Sequence, residues 1–390
     1  MLDPVIVFFT RIFQWIGRGI GWAVAILLWP FMWAGRWYTQ RGWILKAAVG
    51  LALVVVIGLY AYFFYATQFW NNFNPDYPTQ RQVLLGDTVA GVPLRTAPGE
   101  PSGNAAGSTT AQTPVAPNAA AQTCKRSEIA AVAADLIDFN VNQNAWISSM
   151  ITSKVGFFGL PWRNTPFFDN KAAFQLGINQ VLRRTSTELV DTLGRVRGTS
   201  QIDQNLQDAR TALAWDENAW YVGLRGPTRP TPNVYRDAID DLRAFNASLE
   251  RCQAVFDARS DNLLLFLDRM AGDIGSTSDI LRVRLDASDA GWFDVRADDR
   301  FWFAYGQLYA YYGILIATQA DFSAIVEERN LTALWTQMTE QLRNALNMQP
   351  AIISNGNESS FIFPSHLATM GFYLLRVRSQ LIELRSVLDR

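Results

Sequence analysis

Histidine is almost absent from this sequence: 390 residues hold one, His366. Cysteine is nearly as rare, with Cys124 and Cys252 alone. Zinc centres draw on clusters of both residue types, so a conventional metal site is poorly supported. A Ser-His-Asp or Cys-His catalyst would have to use His366, and no GxSxG turn accompanies it. In the run PSHL (364–367), Ser365 or His366 caps or packs at a helix start. Walker and GxGxxG loops are both missing, which removes the usual phosphate-cradling and dinucleotide signatures. GLRGP at 223–227 reads as a plain loop. Lysine is scarce as well, four against 30 arginines, a bias of genome composition more than of chemistry. No cofactor is implied.

Charge is unevenly placed. Residues 1–66 carry Arg11, Arg18, Arg36, Arg41 and Lys46 against Asp3 alone. The remainder has 29 cations and 34 anions, a net of −5. A mildly acidic body argues against nucleic acid as a partner, because phosphate binding needs a basic face.

Ala47 to Ala66 is a run of 20 residues without a charge. At about 1.5 Å per residue it matches the roughly 30 Å of bilayer hydrocarbon. Trp43 lies before it and Tyr60, Tyr62 and Tyr65 near its far end, where amphipathic rings favour the interfaces. The competing reading, a buried core helix, seldom runs so far without a polar face. We expect a transmembrane helix over 44–66. The cations precede it and Asp76 follows it, so the positive-inside rule puts residues 1–43 in the cytoplasm and the body outside. The apolar run starts too deep in the chain, and is too long, for a cleaved signal peptide. Six of the 14 tryptophans fall within the first 43 residues. Arg11, Gln14 and Arg18 form a polar stripe among apolar neighbours there, which predicts an interfacial or shallow re-entrant segment over 5–37. A second crossing is the alternative.

Residues 95–123 are rich in Ala, Pro, Gly, Ser and Thr and nearly free of charge, the composition of a flexible linker. Nothing in 67–94 places that membrane-proximal segment. From residue 124 the signal is helical. Tyr235, Ala238, Leu242, Phe245, Leu249, Cys252, Phe256, Leu263, Phe266 and Met270 follow 3,4 spacing, interrupted only at Arg259, and predict one long helix with a coiled-coil-like seam. Similar stripes run over Tyr305–Val326, Leu331–Ala345 and Leu367–Leu388. Further helices are expected at 127–151 and 170–196. Loops are expected at 156–166, 223–232 and 272–278, and a short hairpin at 350–363. The fold class is all-α: an N-terminal transmembrane helix followed by an antiparallel, coiled-coil-like bundle over 124–390.

The two cysteines fall in the external part. In an oxidising compartment an even count suggests a disulfide between Cys124 and Cys252, clamping the linker's end to the bundle. The bland reading is two unpaired thiols. Of the adjacent carboxylate pairs, Asp216 with Glu217 stands out, because Trp215, Trp220 and Tyr221 surround it and aromatics line sugar sites. A solvated charge beside core aromatics is the plainer account. If 349–366 forms an exposed loop near Trp220, then Asn355, Gly356, His366 and Trp220 are the candidate contact residues.

Five stretches carry a resemblance: FFDNKAAFQLGINQVL (167–182), WDENAWYVG (215–223), FDARSDNLLLFLDRMAGDIGSTSDIL (256–281), QPAIISNG (349–356) and PSHLATMGFYLLRVRSQL (364–381). In these the chain resembles an uncharacterised family of proteobacterial inner-membrane proteins, each with one N-terminal span and a helical periplasmic domain. The chain departs from it before Phe167 and in its longer aromatic N-terminus. The resemblance implies a periplasmic body and no activity. The expected role is a non-enzymatic, membrane-anchored scaffold or interaction protein of the bacterial envelope. Its partners would be the lipid bilayer and an envelope protein or the cell wall. The alternative is an envelope polysaccharide hydrolase using carboxylates such as Glu217. A sensor ranks last, since some 45 mostly apolar cytoplasmic residues leave no output domain.

Overall fold

The computed structural model describes residues 3–78, 124–156, 161–162, 165, 167–195, 202–223, 226–286, 294, 296–350, 352–356 and 365–390. The linker at 95–123 and most of the hairpin at 350–363 lie outside the described residues. The chain divides into two compact units, Met1–Phe63 and Phe64–Arg390.

The first unit holds α1 (Asp3–Thr39) and most of α2 (Trp43–Gln68). Among the described residues α2 is the one helix long and apolar enough to cross a membrane, and none of its most apolar stretch is buried. That exposure separates it from a core helix of similar composition. α1 continues unbroken through Pro30, so the re-entrant turn considered for 5–37 does not form. One proline removes one backbone bond and kinks a helix, but it does not reverse the chain.

The second unit is helical almost throughout, as its 3,4 spacing predicts. α3 (Glu128–Asp138) ends in a π turn at Phe139–Gln143, and α4 (Ile151–Val155) is short. α5 (Asn170–Glu188) ends in a π turn at Leu189–Leu193, and α6 (Gln204–Leu213) follows. The strands β1 (Val222–Gly223) and β2 (Gly226–Pro227) pair antiparallel. Then come α7 (Thr231–Glu250), α8 (Ser260–Asp286), α9 (Ala297–Asp321), α10 (Ser323–Glu328), α11 (Thr332–Leu346) and α12 (His366–Leu388). Ser127, Asp203 and Ser365 cap α3, α6 and α12 by accepting backbone N–H groups of the first turn, which satisfies donors no intrahelical carbonyl can reach. The stripe Tyr305, Leu308, Tyr312, Leu315 of α9 lies in the core.

Three expectations need correction. The single helix from Tyr235 to Met270 is two. α7 stops at Glu250, and Cys252 adopts a left-handed φ of 59°. The Gln253 amide then donates back to Ser248 O at 2.8 Å, a Schellman-like stop without glycine. The helix expected over 127–151 ends at Gln143. The loop expected at 272–278 is the interior of α8. There Asp273 turns inward and accepts from Tyr311 Oη at 2.6 Å and from Gln307 and Gln180 at 3.0 Å. Gly275 is small because Arg378 of α12 passes over it: a Cβ would lie 2.9 Å from Nε. Arg385 meets Asp268 at 2.9 Å further along, so α8 and α12 run in opposite directions.

Residues 67–78, which the sequence could not place, pack on the body. Trp70 stacks on Phe174 at 4.8 Å, and Phe73 and Tyr77 approach Tyr309 at 5.7 and 4.6 Å. Tyr77 Oη donates to Tyr309 O at 3.1 Å, into the space left by Gly313. The buried Lys171 ammonium donates to Ala66 O and Phe69 O, both at 2.8 Å. Desolvation lowers its pKa to about 8. Asn144 exchanges two hydrogen bonds with the Asn71 backbone.

From residue 124 the chain is again described and is fastened to the body. Cys124 and Cys252 have Cα atoms 5.5 Å apart and joined sulfurs. Asn246 accepts from Ser127 N at 2.9 Å and donates to Ser127 O at 3.0 Å. Asp321, fully buried at the end of α9, accepts from Glu128 N, Ile129 N and the Ser127 hydroxyl, so a carboxyl distant in sequence caps α3.

Burial pushes Asp321 up to about 7 against the pull of those donors. Burial, then the Asp299 charge, pushes Asp298 up to about 7 as well. In the unfolded chain both titrate near 3.8. Between these limits the folded state holds protons that the unfolded state has lost, so this contribution is complete below pH 4 and disappears as pH rises through 7. His366, which burial lowers, works in the opposite sense below pH 6.5, Lys171, lowered to about 8, does so only as pH approaches 8, and Asp241, raised to about 6 by burial and its acidic neighbours, adds to the fall. The melting temperature is therefore expected to fall from pH 5 to pH 7. Asp298→Asn should leave the pH 5 value near wild type and flatten the slope. Equal slopes in wild type and variant would refute the assignment.

Candidate functional site

The chemistry-bearing residues of the sequence lie in two places. Glu217 follows α6, in the turn before β1. Its Oε1 accepts from Asn179 Nδ2 at 2.8 Å and from Arg183 Nη1 at 2.9 Å. Asn179 also donates to the Tyr235 hydroxyl. Burial, then the Glu217 charge, pushes that phenol up, well above its ordinary value. Arg183 also donates to the carbonyls of Leu213 and Ala214, closing the end of α6. The Glu217 carbonyl accepts the Trp146 indole N–H at 2.8 Å, and the Asp216 carboxylate accepts Asn218 N. The segment therefore fastens α5, α6 and α7 together. Trp220 is half-buried, accepts the Thr228 hydroxyl at its carbonyl and sets its ring edge-on to Tyr221 at 6.1 Å.

The second place is the entry to α12. Asn355 bridges Ser365 antiparallel. Asn355 and Gly356 are both buried. His366 Nδ1 accepts from Ser354 N at 3.0 Å, which puts the neutral ring's proton on Nε2. The ring lies edge-on to Phe301 at 6.4 Å. Among the described residues no hydrogen bond, ion pair or ring contact joins Trp220 to this corner. Asn355 Nδ2 donates to Asp294 Oδ2 at 2.9 Å. Asp294 also accepts from Arg284 and from Arg296 N. Burial alone would raise this carboxyl; the donors from Arg284, Asn355 and the Arg296 amide hold it below the usual range.

Arg284 leads to a concavity that sequence reading does not find. A cavity of about 690 Å³ opens against α8, the start of α9 and α12. Arg284, Arg296, Arg300 and Arg378 line it, over the small residues Gly272, Gly275 and Ser276. Asp279 is the one carboxylate in the lining, and it lies 3.7 Å from Arg282. Guanidinium groups are planar, permanently charged and forked, suited to oxyanions. Among the described residues no group of three or more metal-ligating side chains is assembled.

A family described as "uncharacterized protein conserved in bacteria (DUF2333)" matches residues 159–291 and 282–390, well over half of the chain. The chain belongs to the DUF2333 family. No curated protein and no solved structure matches it. The DUF2333 segments take in the Glu217 staple, the Asn355–His366 corner and every residue of the arginine cleft. They leave out α1 to α4, and with them Trp146.

Proposed function

We propose that this protein is a single-pass, non-enzymatic interaction protein of the bacterial envelope, with residues 1–43 in the cytoplasm, α2 in the inner membrane and the body in the periplasm. The arginine cleft carries the binding half of this reading, as a recessed, positively lined surface on an otherwise mildly acidic body. Glu217, the acid on which a polysaccharide hydrolase would rest, is spent on Arg183 and Asn179. His366 is spent on Ser354. For the compartment, the support is the run of cations ahead of α2 and the meeting of Cys124 with Cys252, a bond that oxidising compartments maintain. The lipid bilayer and an envelope protein or the cell wall are its partners.

The test is a pair of C-terminal fusions with crosslinking in intact cells. Alkaline phosphatase should be active, a cytosol-only fluorescent reporter dark, and the same protein partner recovered repeatedly from detergent extracts. A bright cytosolic reporter with inactive phosphatase would overturn the topology. Cleavage of isolated peptidoglycan by the purified chain, abolished in Glu217→Gln, would establish the hydrolase instead.

A further inference from the structure

Many arginines of this body are ion-paired. Arg183 meets Glu217, Arg343 meets Asp76, Arg385 meets Asp268 and Arg284 meets Asp294. Three that are not are set apart by sharing one recess. Among the described residues no carboxylate pairs with Arg296, Arg300 or Arg378, and all three line the same cavity. They come from two elements: Arg296 and Arg300 from the N-cap and first turn of α9, and Arg378 from the middle of α12. Like charges converging on one recess repel each other, and a bound anion relieves that repulsion.

We infer that the cleft is a binding site for a phosphate-bearing ligand, held by Arg296, Arg300 and Arg378. This inference rests on the binding reading above and deepens it. Three forked cations approaching from two facing helices suit a group with several peripheral oxygens and nearly two negative charges better than a flat monoanionic carboxylate. Arg284 is neutralised and held in place: Asp294 takes its guanidinium, and the buried Asn355 holds Asp294 from behind. Asn355 is thus a positioning residue. The floor is kept low by Gly272, Gly275 and Ser276, and the volume of about 690 Å³ has room for more than a bare ion. Ile280 and Val283 supply an apolar flank, 41% and 62% exposed. The ligand is therefore an ester whose organic part lies along that flank. A phospholipid headgroup and a soluble phosphate ester share this chemistry.

The experiment uses the full chain in dodecyl maltoside micelles, which carry no phosphate. Calorimetric titrations compare inorganic phosphate, glycerol 3-phosphate, dihexanoyl phosphatidic acid and acetate. Phosphate and its esters should bind more tightly than acetate, with an affinity that falls as salt rises. Arg296→Ala/Arg300→Ala/Arg378→Ala should weaken them at least tenfold, while Arg385→Ala should not. A clear preference for the short-chain lipid over glycerol 3-phosphate identifies a headgroup as the source; equal binding identifies a soluble ester. If the triple variant does not fold, exposed Arg300→Glu alone carries the comparison. Acetate matching phosphate, or variants binding phosphate like wild type, would overturn the inference. Recovery of the crosslinked protein partner in that case would leave the wider function standing.

Discussion

Gly306→Ala is expected to destabilise the body by about 3 kcal/mol or more, the upper range for overpacking. α5 and α9 touch backbone to backbone. A Cβ at Gly306 would lie 2.1 Å from Phe174 O, and one at Gly177 would lie 2.1 Å from Phe303 O. A side chain could rotate away from such a contact, but a helical carbonyl cannot, so the two helices must separate. Phe174, Tyr305 and Tyr309 pack around this crossing and would lose contact together. Alanine's better helix propensity returns only about 1 kcal/mol. Gly371→Ala is the control: no atom lies within 4 Å of its Cβ, so it should be neutral or slightly stabilising. Denaturant melts of the three proteins decide the matter, and a Gly306→Ala midpoint equal to wild type would refute it.

Loss of the Cys124–Cys252 bond should have the second large effect. The bridge closes a 128-residue separation, and in the chain-entropy model such a loop contributes about 4–5 kcal/mol. Cys252 also holds a left-handed conformation that non-glycine residues seldom adopt, so an unbridged side chain would bear that conformation without its partner. Reduction, or Cys124→Ser with Cys252→Ser, is expected to lower the unfolding midpoint strongly. The Ser127–Asp321 and Ser127–Asn246 contacts should loosen at the same time. Hydrogen exchange at Glu128 and Ile129 would report that loosening; unchanged protection there, with an unchanged midpoint, would contradict it.

How far the sequence reached depends on the kind of signal. Long 3,4 stripes, such as Tyr305–Val326 and Leu367–Leu388, correspond to α9 with α10 and to α12 because burial alone dictates them. The stop after Glu250 was invisible: RCQAVFDARS contains neither glycine nor proline, and the turn is made by a cysteine bonded far away in sequence. The glycines at 272 and 275 misled in the other direction. Glycine marks a break in one context and a close approach in another, and only the neighbouring Arg378 tells which. α6 is too short for its period to stand out. Trp70, Phe73 and Tyr77 follow neither helix nor strand spacing, so their destination was hidden. The cleft was hidden because Arg284 of α8 and Arg296 and Arg300 of α9 share a lining with Arg378 only through the packing of three helices distant in sequence, and 30 arginines offer no contrast. Asn355, expected to be a contact residue, sits one layer behind that surface, holding Asp294 against Arg284.

The anchoring of residues 67–78 bears on shedding. Tyr77 and Ser127, which stand on either side of residues 79–123 in the sequence, are both fastened to α9, through Tyr309 and Asp321. A protease nick anywhere in residues 79–123 would therefore not set the body free. The N-terminal fragment would stay clasped by Trp70, Phe73, Tyr77 and the Lys171 ammonium, and release would require both a cut and the withdrawal of that aromatic clasp.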